Sequence, residues 1–177
     1  TGFKGAWLAI WLSRLGANLT GLSLSPNTTP SLHDLLGSDL TDSFIVDLRD
    51  KEATARLVRN AKPEIVFHLA AQALVRQSYR DPLETIETNV IGTANILEAL
   101  RYIEESHVVI AVTTDKVYAD REEASPYREF DPLGGCDPYS ASKAAAELII
   151  ASYRTAFLKR QSVAVATARA GNVIGGG

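Results

Sequence analysis

At 177 residues the chain is one domain or part of one, and its 46% hydrophobic content is enough to bury about 70% of the unfolded surface. Lys and Arg number 18 against 21 Asp and Glu, a net charge of −3 that speaks against a nucleic-acid or anionic-membrane partner. The single cysteine excludes an internal disulfide, no window approaches the ~20 apolar residues of a membrane span, and the opening Thr1-Gly2-Phe3-Lys4-Gly5 is not a signal peptide, so the chain reads as cytoplasmic.

Phe3, Ala6, Trp7, Ile10, Trp11 and Leu15 recur at helical spacing, and Gly16 follows as a stop. Leu19, Leu22 and Leu24 suit a short strand, and a short helix covers 31–36. Phe44-Ile45-Val46 reads as a strand, after which Asp50 caps a helix running to Ala61. Ile65-Val66-Phe67-His68-Leu69-Ala70 is a continuous apolar run, the pattern of a strand buried on both faces. A helix opens at Pro82 and carries Leu83, Ile86, Val90, Ala94 and Leu97 on one face. Val108-Val109-Ile110-Ala111-Val112 is another buried strand, followed by a long polar loop over 113–138. A helix over 139–159, a strand over 163–167 and a glycine-rich loop over 170–177 complete the chain.

Strands alternating with helices imply right-handed βαβ units and a doubly wound parallel α/β sheet with helices on both faces. Such sheets bind ligands beyond the carboxyl ends of their strands, where the polar segments after Val46, Leu69, Val112 and Thr167 converge. The chain opens on a turn and a helix, whereas the first strand of a dinucleotide-binding sheet is central. We therefore expect a fragment, 1–177, incomplete at both ends and with its first strand missing.

The opening glycine turn suits either a pyrophosphate cradle at a helix N-terminus or an ordinary loop-to-helix turn. About 20 residues on, Ser23 and Ser25 stand where an acid would hold the ribose hydroxyls. Asp47 can contact an adenine amine or cap a helix. In Tyr139-Ser140-Ala141-Ser142-Lys143 the phenol and the ammonium share one helix face, and a fixed ammonium favours the phenolate that takes a proton from a sugar hydroxyl. By itself that spacing is also common on solvated helix faces; its place after a strand and a long loop lifts it above that. Thr113-Thr114-Asp115-Lys116 puts hydroxyl, carboxyl and amine side by side on the ligand edge, against the alternative of a polar strand end with a salt bridge. His68 reads as a hydrogen-bonded core residue and Cys136 as a bystander, and three scattered histidines with one cysteine give no metal site.

Together, Thr1-Gly2-Phe3-Lys4-Gly5, Asp47-Leu48-Arg49-Asp50, His68-Leu69-Ala70-Ala71-Gln72, Asn89-Val90-Ile91-Gly92-Thr93 and Tyr139-Ser140-Ala141-Ser142-Lys143 resemble the extended short-chain dehydrogenase/reductase family over essentially the whole chain. Within it, Trp7, Thr114-Asp115-Lys116, Gly134-Gly135 and Arg169-Ala170-Gly171-Asn172 are similar to the 4,6-dehydratases of CDP-glucose. The resemblance implies a Rossmann-type domain with tightly bound NAD, held by Gly2, Phe3, Lys4, Gly5, Asp47, Leu48, Leu69, Ala70, Ala71, Thr113, Tyr139 and Lys143. It implies a nucleotide-sugar substrate met by Gln72, Arg169 and Asn172, a separate substrate domain absent from this chain, and a homodimer or homotetramer built on long-helix pairs. Tyr139, Lys143 and Thr114 would oxidise carbon 4 of the sugar. Asp115, kept protonated by burial, would protonate the leaving carbon 6 hydroxyl, and Lys116, kept neutral, would stand where related enzymes carry a glutamate base. Another nucleotide-sugar dehydratase, a 4-epimerase and a non-catalytic nucleotide-binding module are the alternatives.

Overall fold

A computed structural model describes residues 1–37, 41–103, 107–121 and 125–176. In chain order these form α1 (Phe3–Arg14), β1 (Thr20–Ser23), α2 (Leu32–Leu36), β2 (Asp42–Ile45), α3 (Lys51–Ala61), β3 (Ile65–His68), α4 (Val75–Arg80), α5 (Pro82–Ile86), α6 (Gly92–Leu100), β4 (Val108–Thr114), α7 (Pro138–Ala156) and β5 (Ala164–Ala170). A π turn, Glu87–Ile91, fuses α5 to α6, and single 3₁₀ turns follow β4 (Asp115–Val117) and α7 (Leu158–Gln161).

The end signals act as read. Gly16 takes a positive φ of 83° after α1, and the Asp50 carboxylate accepts the Ala53 N–H at the start of α3. The strands are all parallel and lie in two sheets, β1–β2 and β3–β4–β5, with no ladder between them among the described residues. In the larger sheet β4 is central, which is why Val109 and Ala111 are fully buried.

The core sits between this sheet and a helical layer of α3, α6 and α7, in which α6 packs against both neighbours. Leu48, Ile96, Leu97, Leu100, Val109, Ile150 and Leu158 form its centre. No described helix is long and apolar enough to cross a membrane.

Four expectations need correction. The run 65–70 does not form a strand buried on both faces, because β3 is an edge of its sheet and leaves Ile65 exposed. On α5, Leu83 and Ile86 are exposed, and the buried positions along the continuous helix 82–100 begin with polar Thr85, Asn89 and Thr93, whereas Leu97 of the expected stripe is in the core. Of the apolar stripe on α1 only Ala6 is buried; Trp7, Trp11 and Leu15 are exposed, and the helix contacts α2 rather than the main core. The loop after β3 contains an unforeseen helix, α4, preceded by Gln72, whose Oε1 accepts the Leu74 N–H at 2.6 Å.

Candidate active site

The polar stretch after β4 folds back on itself. Tyr118 pairs antiparallel with Leu133, Ala119 N–H bonds the Pro132 carbonyl at 2.9 Å, and Gly134 N–H bonds the Val117 carbonyl at 2.8 Å. This arm delivers the chain to the start of α7, where Asp137 caps the helix. Its Oδ1 accepts the N–H groups of Tyr139 and Ser140 at 2.9 and 3.0 Å, while Ser140 Oγ accepts the Asp137 N–H at 3.2 Å. Gly135 presses on that first turn so closely that a Cβ there would lie 2.5 Å from Ala141 N.

The cap points two chemistry-bearing side chains of α7 inward at the carboxyl end of β4. Tyr139 is 8% exposed and Lys143 6%. The phenol lies beside Thr114, the last residue of β4, and the Lys143 ammonium donates to the Val112 carbonyl at 3.2 Å. Thr114 in turn donates to Asp115 Oδ1 at 3.0 Å. Its one proton therefore serves either the carboxylate or a phenolate at Tyr139.

Burial dominates the electrostatics. It raises Tyr139 above the usual phenol range, opposed by the Thr114 hydrogen bond and reinforced by the Asp115 and Asp137 charges. Burial lowers Lys143 to about 8, with the Lys4 charge adding to the effect and Glu147 opposing it. That influence of Lys4 ties the opening glycine turn to the Tyr139–Lys143 pair. Asp115 and Lys116 are both exposed, so the burial expected to keep the one protonated and the other neutral is absent.

The opening turn has the donors for an anion. The N-terminus of α1 has no side-chain cap and no acid in its first turn, Lys4 adds a cation, and the space beside Gly2 and Gly5 is open. Those features fit the diphosphate of a dinucleotide. The Thr1 hydroxyl fixes the turn by donating to the Leu24 carbonyl, at 2.7 Å, just beyond β1.

The other expected site residues divide. Leu69, Ala70 and Ala71 follow β3 on the same strand-end edge, and Asn172 is exposed just past β5. Leu48 is a core residue. The Asp47 carboxylate is engaged by Arg49, whose guanidinium lies 2.6 Å away and holds it below the ordinary carboxylate range. Gln72 spends its amide on Leu74 and Thr85, Thr113 donates to Glu147 at 2.6 Å, and the Arg169 guanidinium is held by Glu147 and the Glu129 carbonyl.

Two residues went unassigned in the sequence. Asn89, buried in the π turn, accepts the Gln72 N–H at 2.8 Å and donates to the Gln72 carbonyl and to Ser142 Oγ, which locks the loop after β3 to α7 beside Lys143. Glu147 is the second. For Asn89 the available signal was the Thr85, Asn89, Thr93 spacing, a polar stripe in helical register.

Residues 1–171 match the family model described as GDP-mannose 4,6 dehydratase. The chain belongs to that family. The GDP-mannose 4,6 dehydratase family assignment accords with a CDP-glucose 4,6-dehydratase of Salmonella typhimurium, 46% identical across 100% of this chain and 51% of that protein. A UDP-glucose 4-epimerase of Mycolicibacterium smegmatis is 34% identical over 88% of the chain and 50% of its own length. Among solved structures, the UDP-glucose 4-epimerase of Thermus thermophilus in complex with NAD superposes with a TM-score of 0.80 at 29% identity, over 95% of this chain and 51% of that one. The chain thus spans about half the length of the relatives it matches.

Proposed function

We propose that the chain is the dinucleotide-binding half of an NAD-dependent nucleotide-sugar dehydratase that converts CDP-glucose to CDP-4-keto-6-deoxyglucose and water. The observation that carries this reading is the buried Tyr139, beside Thr114 at the tip of β4, with the buried Lys143 one turn further along the same helix. The similarity to a CDP-glucose 4,6-dehydratase across the full chain supports the choice of nucleotide. The gap between the two parallel sheets supports a further strand outside this chain, and the shared half-length supports a separate substrate domain.

Gly2, Phe3, Lys4 and Gly5 would hold the diphosphate of NAD at the start of α1, and Leu69 to Ala71 would border the same cleft. When bound there, NAD would supply the hydride acceptor and donor that the reaction needs. Tyr139 takes the proton of the carbon 4 hydroxyl, helped by the Thr114 proton, while the Lys143 ammonium favours the negative phenolate. The ketone so formed acidifies carbon 5. Asp115 then protonates the departing carbon 6 hydroxyl, and Lys116 takes the carbon 5 proton. Their exposure means that the substrate itself must bury them.

Leu83 and Ile86 on the long α5–α6 helix and Leu148 on α7 are exposed, which supports a homodimer or homotetramer paired through these helices. A cytoplasmic location accords with the free, exposed Cys136. The test is to incubate the full-length protein and NAD with CDP-, dTDP-, UDP- and GDP-glucose separately. A 4-keto-6-deoxy product from CDP-glucose is expected; product from another nucleotide only, or epimerised UDP-glucose, would replace this reading. Tyr139→Phe should abolish the first oxidation, whereas Asp115→Asn should stop after it and accumulate NADH.

A further inference from the structure

One carboxylate beside the reacting pair has no part in the chemistry above. Glu147 lies one helical turn beyond Lys143 on α7 and is 5% exposed. Its Oε1 accepts the Thr113 hydroxyl at 2.6 Å and Arg169 Nε at 3.0 Å, and its Oε2 accepts Arg169 Nη2 at 3.1 Å. Thr113 and Arg169 are register partners on the adjacent strands β4 and β5, and both turn to the same carboxylate.

Arg169 has donors left over for the arm. Its Nη1 bonds the Glu129 carbonyl at 2.8 Å, and its guanidinium lies 4.9 Å from the centre of the Tyr118 ring, which stacks on Tyr127 at 4.6 Å. The forked guanidinium suits this double duty, since it can grip a carboxylate with two N–H groups and still donate elsewhere. A single ion pair thus joins α7, the tips of β4 and β5, and the arm that leads from Asp115 and Lys116 back to Tyr139.

We propose that Glu147 and Arg169 form the positioning unit of the site. They hold Thr113, and through it Thr114 and Asp115, in register with Tyr139 and Lys143, and they anchor the arm; Arg169 serves this frame rather than the substrate. The catalytic half of the proposal rests on the dehydratase reading, and the anchoring half does not. Four charged or titratable groups meet around Lys143: Glu147 and Tyr139 on its own helix, Lys4 from α1, and His68 from β3, which stays neutral above about 4. Of these, Glu147 alone favours the charged ammonium, while Lys4 opposes it.

The experiment uses the full-length protein with Glu147→Gln, Arg169→Met and the double variant. With CDP-glucose and NAD, each single variant should lower the rate of the first oxidation about tenfold with KM within about twofold, and the double should be no slower than the slower single, as expected of partners in one network. Glu147→Gln should also move the alkaline fall in that rate to lower pH, because Lys143 loses its counter-charge. In the cofactor-free protein, hydrogen exchange at the Ala119 and Gly134 amides should speed up about tenfold as the arm loosens. A wild-type rate in either single variant, multiplying effects in the double, an unmoved alkaline limb or unchanged exchange would each overturn the proposal. Should Glu147→Gln fail to fold, Tyr118→Leu leaves the buried pair intact and must give the same exchange and rate changes, or the anchoring role is wrong. A wild-type protein that does not oxidise CDP-glucose would sink the dehydratase reading alone, since the exchange measurement still decides the anchoring.

Discussion

Lys143 and His68 are both held away from their charged forms by burial, and each costs stability as pH falls, in a different window. Lys143 is lowered to about 8 while the unfolded chain titrates near 10.5, so at neutral pH the folded protein carries a desolvated ammonium that costs of the order of 3 kcal/mol. The cost is complete below about 8 and fades as pH rises toward 10.5. Lys143→Met should therefore raise the melting temperature of the cofactor-free protein at neutral pH, lose that advantage in alkali, and abolish sugar oxidation. His68 is lowered to about 4 by burial and by the Lys143 charge, and its Nε2 lies 2.8 Å from Thr93 Oγ1. Below 6.5 the unfolded chain takes up a proton that the folded chain refuses, so stability falls as pH drops from 6.5 to about 4. His68→Gln should flatten denaturation midpoints across that window; an unchanged slope would mean that His68 is solvated.

At the scale of elements, the start of α7 carries the greatest demand for precision. The Asp137 cap and the glycine before it set the direction in which Tyr139 leaves the helix. Asp137→Ala should cost about 0.5–2 kcal/mol of stability. Gly135→Ala is expected to be worse for activity than for stability, because the added methyl meets the backbone of Ser140 and Ala141 at 2.6 and 2.5 Å and must push the first turn aside. The measurement is the oxidation rate set against the denaturation midpoint; a rate that falls only in step with stability would refute the displacement. The π turn at Glu87–Ile91 places Asn89 against both the Gln72 backbone and the Ser142 hydroxyl, so that one side-chain amide joins three elements.

For the whole molecule, the long helices present apolar side chains outward, with Leu83 70% and Leu148 61% exposed. If these faces pair copies of the protein, Leu83→Glu should shift the full-length protein toward monomer in sedimentation while leaving the secondary structure intact. An unchanged sedimentation coefficient would remove the α5–α6 face from the interface. The apolar stripe read along 83–97 divides accordingly, with Leu83 and Ile86 exposed and Leu97 in the core: periodicity reports a hydrophobic face and carries no information on whether that face meets the molecule's own core or another chain.

The sequence alone determined the parallel α/β architecture, the helix stop at Gly16, the helix start at Asp50, and the Tyr139–Lys143 pair after the β4 loop, because each follows from local spacing or from a single residue's backbone and capping chemistry. The tertiary structure alone decided what each polar group spends its hydrogen bonds on. Asp47 turns to Arg49, Gln72 bonds Leu74 and Thr85, and Arg169 grips Glu147 22 residues away. Asp115 is exposed where burial was expected. Such choices depend on which partners the fold brings within about 3 Å, and distance through space is not written in distance along the chain.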